Sequence, residues 1–391
     1  MSKLKRGIAL FFILGLVFSN VILPVRAEPD DAKPLAPPSV SAQSAVLILA
    51  DNGDVVYEKE CDRRLPMAST TKIMTALVAL DLANPETVIS VAPEAVGVEG
   101  SSIYLTAGEE LTLEQLLYAL LLESANDAAV AIACGISGSV ENFAAEMNRK
   151  AAELGLKDSH FVNPHGLDAE EHYTTAYELA VITRYALQND LLKAIVSTRK
   201  ATIPHESTDS TRLLVNHNKM LRLYEGCIGV KTGFTKCSGR CLVSAAERDG
   251  VTLISVTINA PDDWNDHTKL LDYGFSQYQR ITLCEAEEYL IPLAIVGGVD
   301  DYVMIGNVDD LQVILPSSHG SILVTVESPR FEYAAIQSGD RLGRVLFQCD
   351  VEGNGQIQTV GEVDLVSRYS VAKKKTKKSF WQWLKGLFGW N

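Results

Sequence analysis

Apolar residues in this chain recur at helical spacing through one long stretch and as short β-type runs on either side of it. Over 71–82 no Gly or Pro interrupts, and Ile73, Leu77 and Leu80 fall on one helical stripe. Pro66 stands just upstream, where a chain entering a helix tolerates it. Leu116, Leu117, Leu120 and Leu121 form a second stripe behind Thr112-Leu113-Glu114-Gln115, a T-x-x-Q capping box. Residues 128–134 read as a small-residue helix, and 140–154 as another closed by Gly155. Thr175 to Glu178 predicts a second capping box, opening a helix to about Gln188. Between Ala83 and Gly108 the chain reads as loop. Two hairpins flank the helices. Runs 44–50 and 55–58 meet at Asn52-Gly53, and runs 242–246 and 251–259 are joined by Arg248-Asp249-Gly250. A helix over 264–278 closes the region. Strands, many helices, strands and a last helix predict an α+β domain, a sheet with helices on its faces, over 44–281.

After Arg280 the texture changes. Runs 289–296, 312–315, 321–326 and 344–349 alternate with Gly- and Asp-rich turns, which predicts a separate small β domain over 282–368. At the other end, Lys3, Lys5 and Arg6 precede an apolar 8–18 and Val25-Arg26-Ala27, the pattern of a cleaved signal peptide over 1–27 and hence of an exported protein. Residues 28–43, with Pro29, Pro34, Pro37 and Pro38, read as a linker.

Charge sharpens this picture. The chain of 391 residues carries a net charge of −14, which argues against nucleic acid as a partner. Yet the stretch from Lys373 onward has lysines and no acid, followed by Phe380-Trp381-Gln382-Trp383-Leu384-Lys385-Gly386-Leu387-Phe388-Gly389-Trp390. That stretch is too short to span a bilayer and fits a basic amphipathic anchor over 369–391. Residues 373–391 would hold the protein peripherally to lipid on the outer face of the cytoplasmic membrane. Seven cysteines cannot all pair, and Cys227, Cys237 and Cys241 lack the spacing of a metal site. They read as buried hydrophobes or free thiols, with no metal and no cofactor expected.

Three short motifs carry candidate chemistry. Ser69 and Lys72 stand three apart at a helix start, so hydroxyl and amine share a face, and the positive field of the helix start favours an oxyanion. Ser124-Ala125-Asn126 supplies a second hydroxyl and an amide that both donates and accepts. Lys231-Thr232-Gly233 precedes a strand-like run. A strand edge bearing a cation and a hydroxyl suits an extended peptide ending in a carboxylate, with Gly233 admitting close backbone approach. Each motif alone is also an ordinary helix start or turn; their order and separation in an exported chain carry the signal.

S-x-x-K, S-x-N and K-T-G in this order, with Pro66-Met67-Ala68, Asn163-Pro164-His165-Gly166-Leu167 and Gly229 to Thr235, resemble the low-molecular-mass penicillin-binding proteins, specifically the serine-type D-alanyl-D-alanine carboxypeptidases. The resemblance covers nearly all of the mature chain. It implies the penicillin-binding/β-lactamase-like transpeptidase fold and a substrate, the peptidoglycan stem peptide ending in D-Ala-D-Ala, with β-lactam antibiotics as mimics. It implies Ser69 as nucleophile, Lys72 as base, and Ser124 with Lys231 as the route of the proton to the leaving amine. Asn126 would orient Lys72 and the substrate amide, and Thr232 would hold the terminal carboxylate. The backbone N–H groups of Ser69 and Phe234, the latter beside Gly233, would hold the oxyanion. Phe234 and Arg240-Cys241 depart from the pattern, and His165, Asp168 and His172 read as structural. A β-lactamase on the same fold and a non-catalytic peptidoglycan-binding membrane protein are the alternatives. A β-lactamase would lack the β domain and anchor, and a binder would have no need of the nucleophile.

Overall fold

The computed structural model describes residues 35–205 and 210–375. The signal peptide expected over 1–27 and the aromatic part of the anchor expected over 369–391 lie outside them. The chain divides into two compact units, Asp30–Arg280 and one that begins at Ile281.

The first unit starts with β1 (Ser44–Leu49), β2 (Val55–Lys59), a 3-10 turn (Ala68–Thr71), α1 (Lys72–Leu82), β3 (Val88–Ser90) and β4 (Glu110–Thr112). Helices follow: α2 (Leu113–Leu122), α3 (Asn126–Ser137), α4 (Val140–Glu153), α5 (Ala176–Ala186) and α6 (Asp190–Ser197). Then come β5 (Lys200–His205), β6 (Ser210–Val215), α7 (Met220–Leu223), β7 (Cys227–Thr235), β8 (Gly239–Arg248), β9 (Val251–Ile258) and α8 (Asp263–Gln277). The central sheet has the order β2-β1-β9-β8-β7 and is antiparallel throughout. Its middle strands are covered on both faces, which is why β1 reads as an unbroken apolar run rather than an alternating one. Val46, Ile48, Ile254 and Val256 join the helical core with α1 to α5, whereas Leu47 and Leu253 meet α8 at Gly274. A Cβ on Gly274 would stand 2.6 Å from Leu253, so α8 lies close on the sheet because that position has no side chain.

Several expectations are corrected. The segment read as a linker is tied down from Leu35 onward: the Ser41 and Ala42 N–H groups donate to the Asp266 carboxylate at 2.9 and 3.1 Å. The stretch read as loop contains β3, which pairs with β4. The box at Thr112 is complete, but at Thr175 only half of one forms. Thr175 accepts from the Glu178 N–H, while the Glu178 carboxylate turns away to the N–H groups of Lys157 and Asp158 and the Ser159 hydroxyl. Those three donors satisfy a buried carboxylate better than the single N–H at the cap would.

The second unit is all β in its described part: β10 (Tyr278–Cys284), β11 (Leu290–Val296), β12 (Tyr302–Gly306), β13 (Leu311–Pro316), β14 (Leu323–Glu327), β15 (Phe331–Tyr333), β16 (Arg341–Asp350) and β17 (Ile357–Ser367). Six of these form a sheet of order β14-β16-β17-β12-β11-β15 over a core of its own around Val303, Ile305, Val345, Phe347 and Leu365. Lys373, the first lysine expected in the anchor, belongs to this unit, bridging to Gly298.

Candidate active site

Ser69 sits ahead of α1, in the 3-10 turn Ala68–Thr71 that leads into it, rather than in the first turn of the helix. The turn is held from beneath. Thr70 Oγ1 donates to the Met67 carbonyl at 2.6 Å, and Thr71 Oγ1 to the Ala68 carbonyl at 2.8 Å. His172 secures the second contact. Its Nδ1 accepts from the Val162 N–H, so its Nε2 carries the proton and donates to Thr71 Oγ1 at 2.8 Å. Burial lowers the His172 pKa to about 4, which keeps the ring neutral and this tautomer available at neutral pH. Gly166 lies directly under the turn, where a Cβ would stand 1.9 Å from the Ala68 carbonyl oxygen.

One turn of helix on, Lys72 is wholly buried, and its Nζ reaches Ser69 Oγ at 3.0 Å, Asn126 Oδ1 at 2.7 Å and the His165 carbonyl at 2.5 Å. Three acceptors match the three protons of an ammonium. A neutral amine would give its two N–H groups to Asn126 and His165 and present its lone pair to the Ser69 hydroxyl. Burial, and then the charge of Lys231, hold Lys72 well below the usual lysine range.

The interruption between α2 and α3 brings Ser124 and Asn126 to the same place, Ser124 with φ 61° and Asn126 as the first residue of α3. Asn126 Nδ2 donates to the Glu99 carbonyl at 2.6 Å, which fixes its amide so that the oxygen faces Lys72. Lys231, in the middle of β7, is as buried as Lys72, and its Nζ donates to Ser124 Oγ at 3.0 Å and the Thr232 carbonyl at 2.9 Å. Burial brings its pKa down to about 7. Gly233 lets β7 pass close to the turn: a Cβ there would stand 3.1 Å from the Ser69 nitrogen. Thr232 and Gly233 are half-buried along this edge, and the Phe234 side chain points into solvent at 66% exposure, leaving its backbone for the cleft. Thr235 Oγ1 donates to Asp168 at 2.9 Å, joining the end of β7 to the loop that carries Gly166.

The structure thus gathers all the sequence-predicted residues along one cleft and adds others. The His165 carbonyl is a third partner of Lys72 that no side-chain motif announces. Asp127, buried beside Asn126, accepts from Ser102 Oγ at 2.6 Å and from the Ile103 and Leu105 N–H groups, shaping the loop whose Ser101 carbonyl accepts the Asn126 N–H. Arg212 of β6 clasps the buried Glu109 and donates to the Ile103 carbonyl of the same loop at 3.0 Å. Asp127 could be suspected from its place after S-x-N; the Arg212–Glu109 pair spans too much sequence to leave a local signal. A cavity of about 540 Å³ opens beside the cleft, between Arg64, Pro66, Asp168, Tyr173 and Cys237. All seven cysteines are free thiols. Among the described residues no group of His, Cys, Asp and Glu is placed to hold a metal.

A serine backed by a buried, easily discharged lysine, beneath a strand edge open to an extended peptide, defines an active-serine enzyme of acyl transfer. The family profile described as D-alanyl-D-alanine carboxypeptidase, peptidase S11, matches residues 31–262, and the chain belongs to that family. It is 32% identical over 376 residues to the D-alanyl-D-alanine carboxypeptidase DacF of Bacillus subtilis, covering 94% of each chain. It is 29% identical to DacC of Escherichia coli over 89% of this chain and 88% of that one. Among solved structures it resembles penicillin binding protein 5 of Haemophilus influenzae, with a TM-score of 0.63 at 26% identity over 87% of this chain and all of that one. The Streptomyces K15 DD-transpeptidase superposes at 0.59 with 32% identity, over 62% of this chain and all of its own.

Proposed function

We propose that this serine-type D-alanyl-D-alanine carboxypeptidase removes the last D-alanine of peptidoglycan stem pentapeptides through an ester on Ser69, limiting the cross-links those peptides form. The observation that carries the reading is the pair of buried lysines, each bonded to its own serine, Lys72 to Ser69 and Lys231 to Ser124. Lys72 in its neutral form takes the Ser69 proton as Oγ attacks the carbonyl of the penultimate D-alanine. The developing oxyanion rests on the backbone N–H groups of Ser69 and Phe234. The C–N bond then breaks, and the terminal D-alanine leaves as an amine after taking a proton by way of Ser124 and Lys231. Water, deprotonated by the same machinery, hydrolyses the ester and frees Ser69. Thr232 and the Lys231 charge hold the terminal carboxylate. Penicillin, a cyclic amide of the same outline, acylates Ser69 and leaves slowly. The mature protein is exported and held to lipid on the outer face of the cytoplasmic membrane by the basic aromatic segment 373–391.

The test is D-alanine release from a synthetic pentapeptide ending in D-Ala-D-Ala, with Ser69→Ala in parallel. Release that disappears in the variant supports the proposal. A folded wild-type protein that releases nothing overturns it.

A further inference from the structure

The β unit carries a surface that its own fold leaves unexplained. A sheet with one face in water normally alternates, apolar inward and polar outward. In β11 the inward residues, Leu293 and Ile295, are buried as expected, but the outward ones are Leu290, Pro292, Ala294 and Val296, with no polar side chain among them. Strand register continues this outward face across both neighbours. Ala294 pairs with Tyr302 of β12 on one side and Phe331 of β15 on the other, Pro292 pairs with Met304, and Val296 with Tyr333. Residues paired across strands lie on the same face. Tyr302, Phe331 and Tyr333 are 55%, 47% and 63% exposed, and the rings of Phe331 and Tyr333 meet edge to face at 5.6 Å. A contiguous apolar patch of this kind marks an interaction surface.

Where the chain goes next says what covers it. After β17 the backbone returns to the end of β11: the Val299 N–H donates to the Ala372 carbonyl, Lys373 bridges to Gly298, and the Lys374 N–H donates to the Gly297 carbonyl at 2.8 Å. Lys374 is thereby next to Val296, at the Val296–Tyr333 edge of the patch. The run of basic residues and tryptophans therefore begins at its rim, with Lys373 and Lys375 exposed there and Lys374 paired with Asp301. We propose that the β11–β12–β15 face is a second lipid-contacting surface, which enters the headgroup region of an anionic membrane beside the anchor. Tyrosine suits that position, its ring in the apolar layer and its hydroxyl in the wet one. Lysines at the rim meet the anionic headgroups. The inference rests on the reading of 373–391 as a lipid anchor and extends it: the β unit lies on the membrane rather than hanging from a tether.

The experiment measures partition of the full mature chain onto vesicles of phosphatidylcholine with a minority of phosphatidylglycerol. One variant carries Phe331→Gln and Tyr333→Gln, and a second, on the opposite side of β11, carries Tyr302→Gln. A third changes the tail only, with Trp381→Ala, Trp383→Ala and Trp390→Ala. Far-ultraviolet circular dichroism and resistance of the β unit to limited proteolysis serve as the control for fold, since D-alanine release reports on the catalytic unit alone. The expected result is that the first variant partitions at least about tenfold less than wild type with its tail intact, and that Tyr302→Gln moves the same way. Wild-type partition in both face variants overturns the surface and leaves the anchor standing. Wild-type partition in the tail variant overturns the anchor instead. If the face variants alter only self-association in sedimentation, the face joins two copies and the lipid proposal falls.

Discussion

Two lysines bonded to two serines set the chemistry, and their burial makes it sensitive to pH. In the unfolded chain both titrate near 10.4, while in the fold Lys231 titrates at about 7 and Lys72 well below its usual range. Between those values each lysine binds more protons unfolded than folded, so the contribution of this pair to stability rises with pH from about 7 upward. Lys231→Met removes its share, and its melting temperature should rise less between pH 7 and pH 9 than that of wild type; parallel slopes would contradict the assignment. The same variant removes the positive charge that holds Lys72 down. The acid limb of penicillin acylation should therefore move to higher pH, as a stopped-flow pH series would show. Asn126→Ala deletes an acceptor of Lys72 and frees the Glu99 carbonyl. It should lower kcat/KM by about 10²-fold or more, since small displacements of a base cost that much, while circular dichroism stays native. A variant with near wild-type kcat/KM would show that Asn126 does not position the base.

Elements bring these residues together, and here the limits of the sequence have physical causes. The Ser69 turn, the S-x-N break and the β7 lysine were legible because each is a local pattern: a helix start, a helix interruption and a strand. So were the Thr112 box and the closing helix, since caps and stripes need only neighbouring residues. What stayed hidden is paired over long range. β3 is three residues long and becomes a strand only by meeting β4. The tie from Ser41 to Asp266 and the clasp of Arg212 on Glu109 each cross more than a hundred residues. Glu178 matched a capping pattern, yet the donors of the 157–159 loop competed for its carboxylate and won. Gly166 belongs to the same long-range class. Gly166→Ala puts a Cβ into the Ala68 carbonyl at φ 88°, and should cost at least ~2 kcal/mol by denaturant titration and most of the activity. A variant that keeps both would refute the close approach. Thr112→Ala, by contrast, should cost about 1 kcal/mol and leave kcat unchanged, because α2 carries no group that touches substrate.

The chain as a whole divides its labour between two cores. All the site residues lie within Asp30–Arg280, and the β unit packs around side chains of its own. A fragment of residues 30–280 should therefore fold and release D-alanine at the rate of the full chain, while binding no vesicles; an inactive or aggregated fragment would show that the β unit supports catalysis. The central claim is the ester on Ser69. The most direct test is intact-protein mass spectrometry of the mature chain with benzylpenicillin, followed by digestion to locate the adduct. One penicilloyl group on the peptide containing Ser69, absent from Ser69→Ala and greatly slowed in Lys72→Ala, is the predicted result. An adduct elsewhere, or one that persists in Ser69→Ala, would contradict the account.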